Sequence, residues 1–137
     1  MPFTEIAYKA LESVVGSENI TNDPAVAEAY TKDCSWMSVA KRMRLGKAMR
    51  PACIILPKST EEVQAIVKIA NRYRFPFIPH GTGLAPGCWP DGPGYIIVDM
   101  KRMNRILKID KKNMYAVVQP YVTFAQLLTE ANKLGLY

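Results

Sequence analysis

At 137 residues the chain has room for one domain with a real core, but not for two of ordinary size. Its 49% hydrophobic and 22% charged residues are the balance of a globular protein, which excludes fibrous, low-complexity and disordered classes. The net charge of +6 is concentrated, with no acidic residue between Asp33 and Glu61 and with Lys41, Arg42, Arg44, Lys47, Arg50 and Lys58 all in that interval.

Residues 4–15 place Phe3, Ile6, Ala7, Ala10, Leu11, Val14 and Val15 on one helical face, with Gly16 as the stop. Asp23-Pro24 opens a short helix running to about Tyr30, an N-cap followed by proline at the first helical position. Residues 31–50 lack helical spacing and are expected to form a long basic surface loop. Ala52-Cys53-Ile54-Ile55-Leu56 is a continuous apolar run between prolines, the mark of a strand buried on both faces. Ser59 caps the next helix, with Glu62 completing a capping box and Val63, Ile66, Val67, Ala70 and Tyr73 forming its apolar stripe. The short strand Phe77-Ile78 follows, so strand, helix and strand make a right-handed βαβ unit.

That second strand delivers Pro79-His80-Gly81-Thr82-Gly83-Leu84-Ala85-Pro86-Gly87, which holds three glycines and two prolines. Glycine turns freely through positive φ and brings backbone amides close to a ligand. Converging amides form an anion-binding hollow suited to phosphate. The stretch taken alone reads equally as a diphosphate cradle or as an ordinary Gly/Pro loop. Its place beyond the carboxyl end of a strand favours the cradle, because ligands of open α/β sheets bind there. Two common phosphate loops are excluded. Gly87 falls one residue too late for G-x-G-x-x-G, the following prolines forbid the helix that motif opens, and no Gly-Lys-Ser or Gly-Lys-Thr occurs.

Tyr95-Ile96-Ile97-Val98 is a further strand, and residues 105–109 and 116–118 form a β-hairpin turning at 110–113, with Asn113 suited to a left-handed conformation. A last helix over residues 123–134 starts at Thr123, stops at Gly135 and is expected to bury Phe124, Leu127, Leu128 and Ala131. The fold class is therefore α+β, a small mixed or parallel sheet with a βαβ unit and flanking helices. It divides into an N-terminal helical segment with the basic loop (1–49) and a sheet unit (50–137).

The three cysteines, Cys34, Cys53 and Cys88, are scattered without C-x-x-C, and with one histidine in the chain they point to no metal site and to a reduced, cytoplasmic setting. The opening Met-Pro-Phe-Thr-Glu has no basic or apolar region of a signal peptide. No apolar run approaches the ~20 residues of a membrane span. Neither basic group, residues 41–58 or Lys101, Arg102, Arg105, Lys108, Lys111 and Lys112, has interleaved aromatics or a recognition-helix pattern. No nucleic-acid partner is therefore expected; a solvated loop, or a surface toward an acidic partner or anionic ligand, reads better.

Arg50-Pro51-Ala52-Cys53-Ile54-Ile55-Leu56-Pro57-Lys58-Ser59-Thr60-Glu61-Glu62-Val63, the glycine loop, Ile97-Val98-Asp99-Met100-Lys101-Arg102-Met103-Asn104-Arg105-Ile106, and Val118-Gln119-Pro120-Tyr121-Val122-Thr123 stand in one order and at consistent separations. Together they resemble the FAD-binding domain of the vanillyl-alcohol oxidase and p-cresol methylhydroxylase (PCMH) type, especially its glycolate and D-lactate dehydrogenase group. The likeness covers residues 50–137 and, more faintly, 30–33. It implies that main-chain amides of His80, Gly81, Thr82, Gly83, Leu84 and Ala85 line the FAD diphosphate, with Gly87 shaping the loop's exit. It also implies hydride transfer from an alcohol or 2-hydroxy acid to the flavin. His80 stands where the family commonly has arginine, and Tyr121 where it commonly has glycine. Tyr121 either narrows or stacks in the nucleotide pocket, or packs without touching ligand. The family's covalent flavin histidine falls at Leu84, so non-covalent FAD is implied.

The likeness covers only the first lobe of such a domain. No catalytic residue is assigned, and the chain is expected to be a fragment or one subunit of a split enzyme, inactive alone and completed by a missing second lobe or partner subunit. The alternative is a non-catalytic protein-binding module that keeps the fold without the cofactor.

Overall fold

The computed structural model describes residues 3–31, 36–45, 49–84 and 87–137. Helix α1 (Glu5–Val15) begins at Thr4, whose hydroxyl accepts from the Ala7 amide, and ends at Gly16 with φ 86°. Ala7, Leu11 and Val15 recur at four-residue spacing and are its buried stripe. Ile6, expected on that face, is exposed, because it lies about 100° around the helix from Ala7. After β1 (Ile20–Thr21), α2 (Pro24–Glu28) is capped by Asp23, which accepts from the Ala25 amide, and stops short of Tyr30.

The loop expected over residues 31–50 contains helix α3 (Trp36–Leu45). Trp36, Val39, Ala40 and Met43 do stand at helical spacing, a signal the loop reading passed over, but Trp36, Val39 and Met43 are exposed and add nothing to the core. Asp33 and Cys34 lie outside the described residues.

Four strands form the main sheet: β1, β2 (Cys53–Ile55), β3 (Phe77–His80) and β4 (Ile96–Asp99), in the order β1-β2-β4-β3. Strands β2 and β3 both run parallel to β4, and β1 is antiparallel to β2. The expected βαβ unit is therefore present, but its two strands flank β4 instead of pairing with each other. Its helix, α4 (Thr60–Tyr73), is capped by Ser59, whose side chain accepts from the Glu62 amide. The Glu62 carboxylate does not close the box on Ser59; it accepts from the Lys58 amide at 2.8 Å. Arg74 ends the helix in the left-handed region at φ 54°.

Alternation through the sheet is strict. Cys53, Ile55, Ile96 and Val98 pack toward α1 and α4, with Leu11, Ile66, Ala70 and Phe75, while Ile54 and Ile97 pack on the other face with Ala27, Tyr30, Leu56 and Ile78. Each wholly buried isoleucine, leucine or valine among them contributes about 1.5–3 kcal/mol by leaving water. The centre of the sheet is thus fixed from both sides, and the ends of β3 and β4 become a rigid platform.

The hairpin is built from β5 (Ile106–Asp110) and β6 (Tyr115–Val118), with a bulge at Leu107 between the pairs Ile106–Val118 and Lys108–Val117. The left-handed position of its turn is Met114 (φ 55°), not Asn113. Asn113 instead donates through its backbone amide and side chain to Asp110 Oδ1, and so fixes the turn from the preceding position. Helix α5 (Phe124–Lys133) carries a complete capping box between Thr123 and Gln126. The burial expected of it is not found. Phe124 is 91% exposed and Leu128 is also exposed, while Leu127 and Ala131 are half-buried.

Candidate functional site

Strand β3 continues through Pro79 to His80, which stands opposite Asp99 at the end of β4. Pro79 is tolerated there because β3 is an edge strand and proline donates nothing to a neighbour. The glycine loop therefore begins at Gly81, and His80 is the last strand residue before it.

Gly83 has φ +75° and Gly87 φ +89°, conformations that L side chains resist. A Cβ on Gly83 would stand 2.9 Å from His80 Nε2, so the imidazole lies directly beneath that glycine. A Cβ on Gly81 would meet the Pro120 carbonyl at 3.9 Å, which places the first turn of the loop against the segment leaving β6. Tyr121, next along, is half-buried, and its amide donates to the Met103 carbonyl at 2.9 Å. The structure thus gathers His80, Gly81, Gly83 and the Pro120-Tyr121 turn at one end of the sheet. Thr82, Leu84 and Gly87 are exposed, and Ala85 lies outside the described residues.

Below the loop is a polar cluster that sequence reading did not find. Asp99 is only 3% exposed, and its carboxylate is paired three ways. Tyr30 donates its hydroxyl to Oδ2 at 2.6 Å, Lys101 Nζ lies 3.1 Å from the same oxygen, and the Lys101 amide donates to Oδ1 at 2.9 Å. Lys101 Nζ also donates to the Tyr30 hydroxyl at 3.1 Å. Burial, reinforced by the bond to Asp99, pushes the Tyr30 phenol above its ordinary pKa. At Lys101, burial alone would lower the pKa, but the bonds to Tyr30 and Asp99 outweigh it and the net shift is upward. The Tyr30 ring meets the His80 ring edge-on, with centroids 5.2 Å apart and planes at 69°. His80 Nδ1 is buried and has no hydrogen-bond partner among the described residues. One signal in the sequence could have found the cluster: Asp99 closes an otherwise apolar strand, and a buried carboxylate must be paired.

A glycine turn held in left-handed geometry on an imidazole, at the carboxyl end of a parallel edge strand, is a fitting diphosphate seat. A family model described as an FAD binding domain matches residues 51–137. The chain belongs to this family. It is 39% identical over 88% of its length to the 4-cresol dehydrogenase [hydroxylating] flavoprotein subunit of Pseudomonas putida, covering 22% of that protein. It is 40% identical over 98% of its length to a D-lactate dehydrogenase of Anaerostipes hadrus, covering 25% of it. The structure of p-cresol methylhydroxylase with substrate bound superposes with a TM-score of 0.78 at 26% identity, over 99% of this chain and 27% of that one. The chain therefore spans about a quarter of the length of the proteins it matches. The fold is that of the PCMH-type FAD-binding domain, and FAD is its cofactor.

Among the described residues no helix is long and apolar enough to cross a membrane, and no group of three or more His, Cys, Asp or Glu side chains could hold a metal ion.

Proposed function

We propose that residues 80–87 seat the FAD diphosphate without a covalent link to the flavin, and that this chain is the FAD-binding part of an oxidoreductase acting on an alcohol or 2-hydroxy acid. The observation that carries the reading is Gly83, held at φ +75° with His80 Nε2 immediately beneath it. His80, Gly81, Thr82, Gly83, Leu84 and Gly87 line the seat, and Tyr121 borders it next to Pro120, whose carbonyl faces Gly81. The family's covalent histidine position is occupied by Leu84, a side chain with no nucleophilic atom. When bound, FAD supplies a two-electron acceptor for the substrate hydride. The work of this chain is to bind and orient the dinucleotide end. Residues 50–137 carry that role, and residues 1–49 brace them, with α1 against α4, β1 on β2, and Tyr30 on the floor of the seat.

Completion by a second lobe or a partner subunit is supported by the large apolar side chains that the hairpin and α5 leave in solvent, among them Leu107, Tyr115, Val117, Val118, Phe124 and Leu128. The relatives acting on 4-cresol and on D-lactate supply the substrate class. The buried thiol of Cys53, which forms no disulfide, suits a reducing, cytoplasmic setting.

The test is titration of the chain with FAD, followed by flavin fluorescence, in the wild type and Gly83→Val. A valine meets both the left-handed backbone and the imidazole, so affinity should fall by at least about tenfold. Equal affinities of the two proteins would remove the loop from the FAD site.

A further inference from the structure

His80 carries the glycine loop, yet its buried Nδ1 makes no hydrogen bond among the described residues, so on that side packing holds the ring. The aromatic ring packed against it is Tyr30. Tyr30 is in turn held by two groups of opposite charge, with its hydroxyl 2.6 Å from Asp99 Oδ2 and 3.1 Å from Lys101 Nζ. The Lys101 ammonium also stands 5.9 Å from the centre of the Tyr30 ring. A line of contacts therefore runs from the Asp99–Lys101 pair at the end of β4, through the phenol, to the imidazole and on to Gly83. Asp99 is anchored at the end of a strand that is buried along its whole length.

Tyr30 itself comes from the segment after α2, outside the part of the chain that matches the family model. We infer that Tyr30 is a positioning residue for the diphosphate loop: it fixes the His80 ring, and through it the backbone of Gly83, before the cofactor arrives. This rests on the reading of residues 80–87 as the FAD seat. Pre-ordering a loop in its bound shape reduces the cost of ordering it on binding, which amounts to about 0.5–1.5 kcal/mol per immobilised side chain, or roughly two- to tenfold in affinity.

The experiment uses Tyr30→Phe, which keeps the ring and loses the hydroxyl, and Tyr30→Leu, which loses the ring as well. FAD affinity is read by titration. The Gly83 amide and the His80 ring nitrogens are read by NMR in the cofactor-free chain, with the Ile54 and Ile97 amides as controls for the core. Tyr30→Leu should weaken FAD about tenfold and Tyr30→Phe about threefold. The Gly83 and His80 signals should move in the same order while Ile54 and Ile97 stay in place. A general loss of structure would move all four signals together, and that result would overturn the positioning role. So would His80 and Gly83 signals unchanged in both variants. If Tyr30→Leu does not fold, Tyr30→Phe decides by the same signals. If Gly83→Val binds FAD like the wild type while the Tyr30 variants still shift Gly83, the FAD reading falls and the Tyr30–His80–Gly83 coupling stands.

Discussion

The central strands β2 and β4 and the hairpin β5–β6 are built from similar side chains, yet they meet opposite surroundings. Ile54, Ile55, Ile96 and Ile97 are buried on both faces of the sheet, while Tyr115, Ala116, Val117 and Val118 are all exposed. The difference lies in what covers them. Helices α1 and α4 close one face of the sheet, and Ala27, Tyr30 and Leu56 help close the other. The hairpin keeps its backbone pairs and its turn but has no second layer among the described residues. β-Branched content therefore specifies a strand; a neighbour decides whether the strand becomes core.

The sharpest way to break this contrast is to cut one side chain in each region. Ile97→Ala removes a wholly buried side chain from the middle strand and should cost about 2–5 kcal/mol, read as a lower midpoint in denaturant. Val117→Ala on the open hairpin should stay within about 0.5 kcal/mol of the wild type. Equal losses would mean that the hairpin face is covered in solution. Hydrogen exchange should rank the regions in the same way, with Ile54 and Ile97 amides exchanging only on global opening and Ala116 and Val118 amides far sooner.

Much of this was legible in the sequence, because the signals were local. Asp23, Ser59 and Thr123 each cap the helix expected of them, and the unbroken apolar runs at 53–55 and 96–98 are the two-sided strands. The glycine loop was found by composition and by its place after a strand. What escaped reading depends on contacts between distant residues. Phe124 and Leu128 were assigned to a core because helical spacing shows that a stripe exists, not that anything faces it. The order β2-β4-β3 was hidden because local sequence does not show which later strand inserts between two others. Tyr30 and Asp99 are 69 residues apart, and only the fold brings them to one bond.

The contrast extends to pH, and the two regions should fail at opposite ends of the scale. Burial pushes the Cys53 thiol up from 9.0 to about 12. Folding thus favours the protonated form. That contribution is fully present below the free-thiol value and is lost as pH rises toward about 12, by up to about 1.4 kcal/mol per pH unit. Cys53→Ala should flatten this alkaline decline, after allowance for the tyrosines and lysines that titrate nearby. In the native chain Cys53 should resist thiol reagents and react with them only once the chain is unfolded.

At the acid end the hairpin should respond first, and by less. The Lys108 side chain, with the Asn113 backbone and side chain behind it, holds the Asp110 carboxyl down at about 2. A depressed carboxylate stabilises the folded turn above its ordinary pKa and loses that contribution as pH falls through about 2. The carboxylate is paired only within its own hairpin, to Lys108 and Asn113, so the effect should be local: faster exchange at Asn113 and Tyr115 between pH 4 and 2, with Ile97 unmoved. Lys108→Met removes the first of these partners and should raise the Asp110 midpoint, moving the turn's acid opening to higher pH. If Ile97 exchange followed Asp110 titration, the hairpin and the sheet would be one cooperative unit, and the distinction between a covered and an open region would fail.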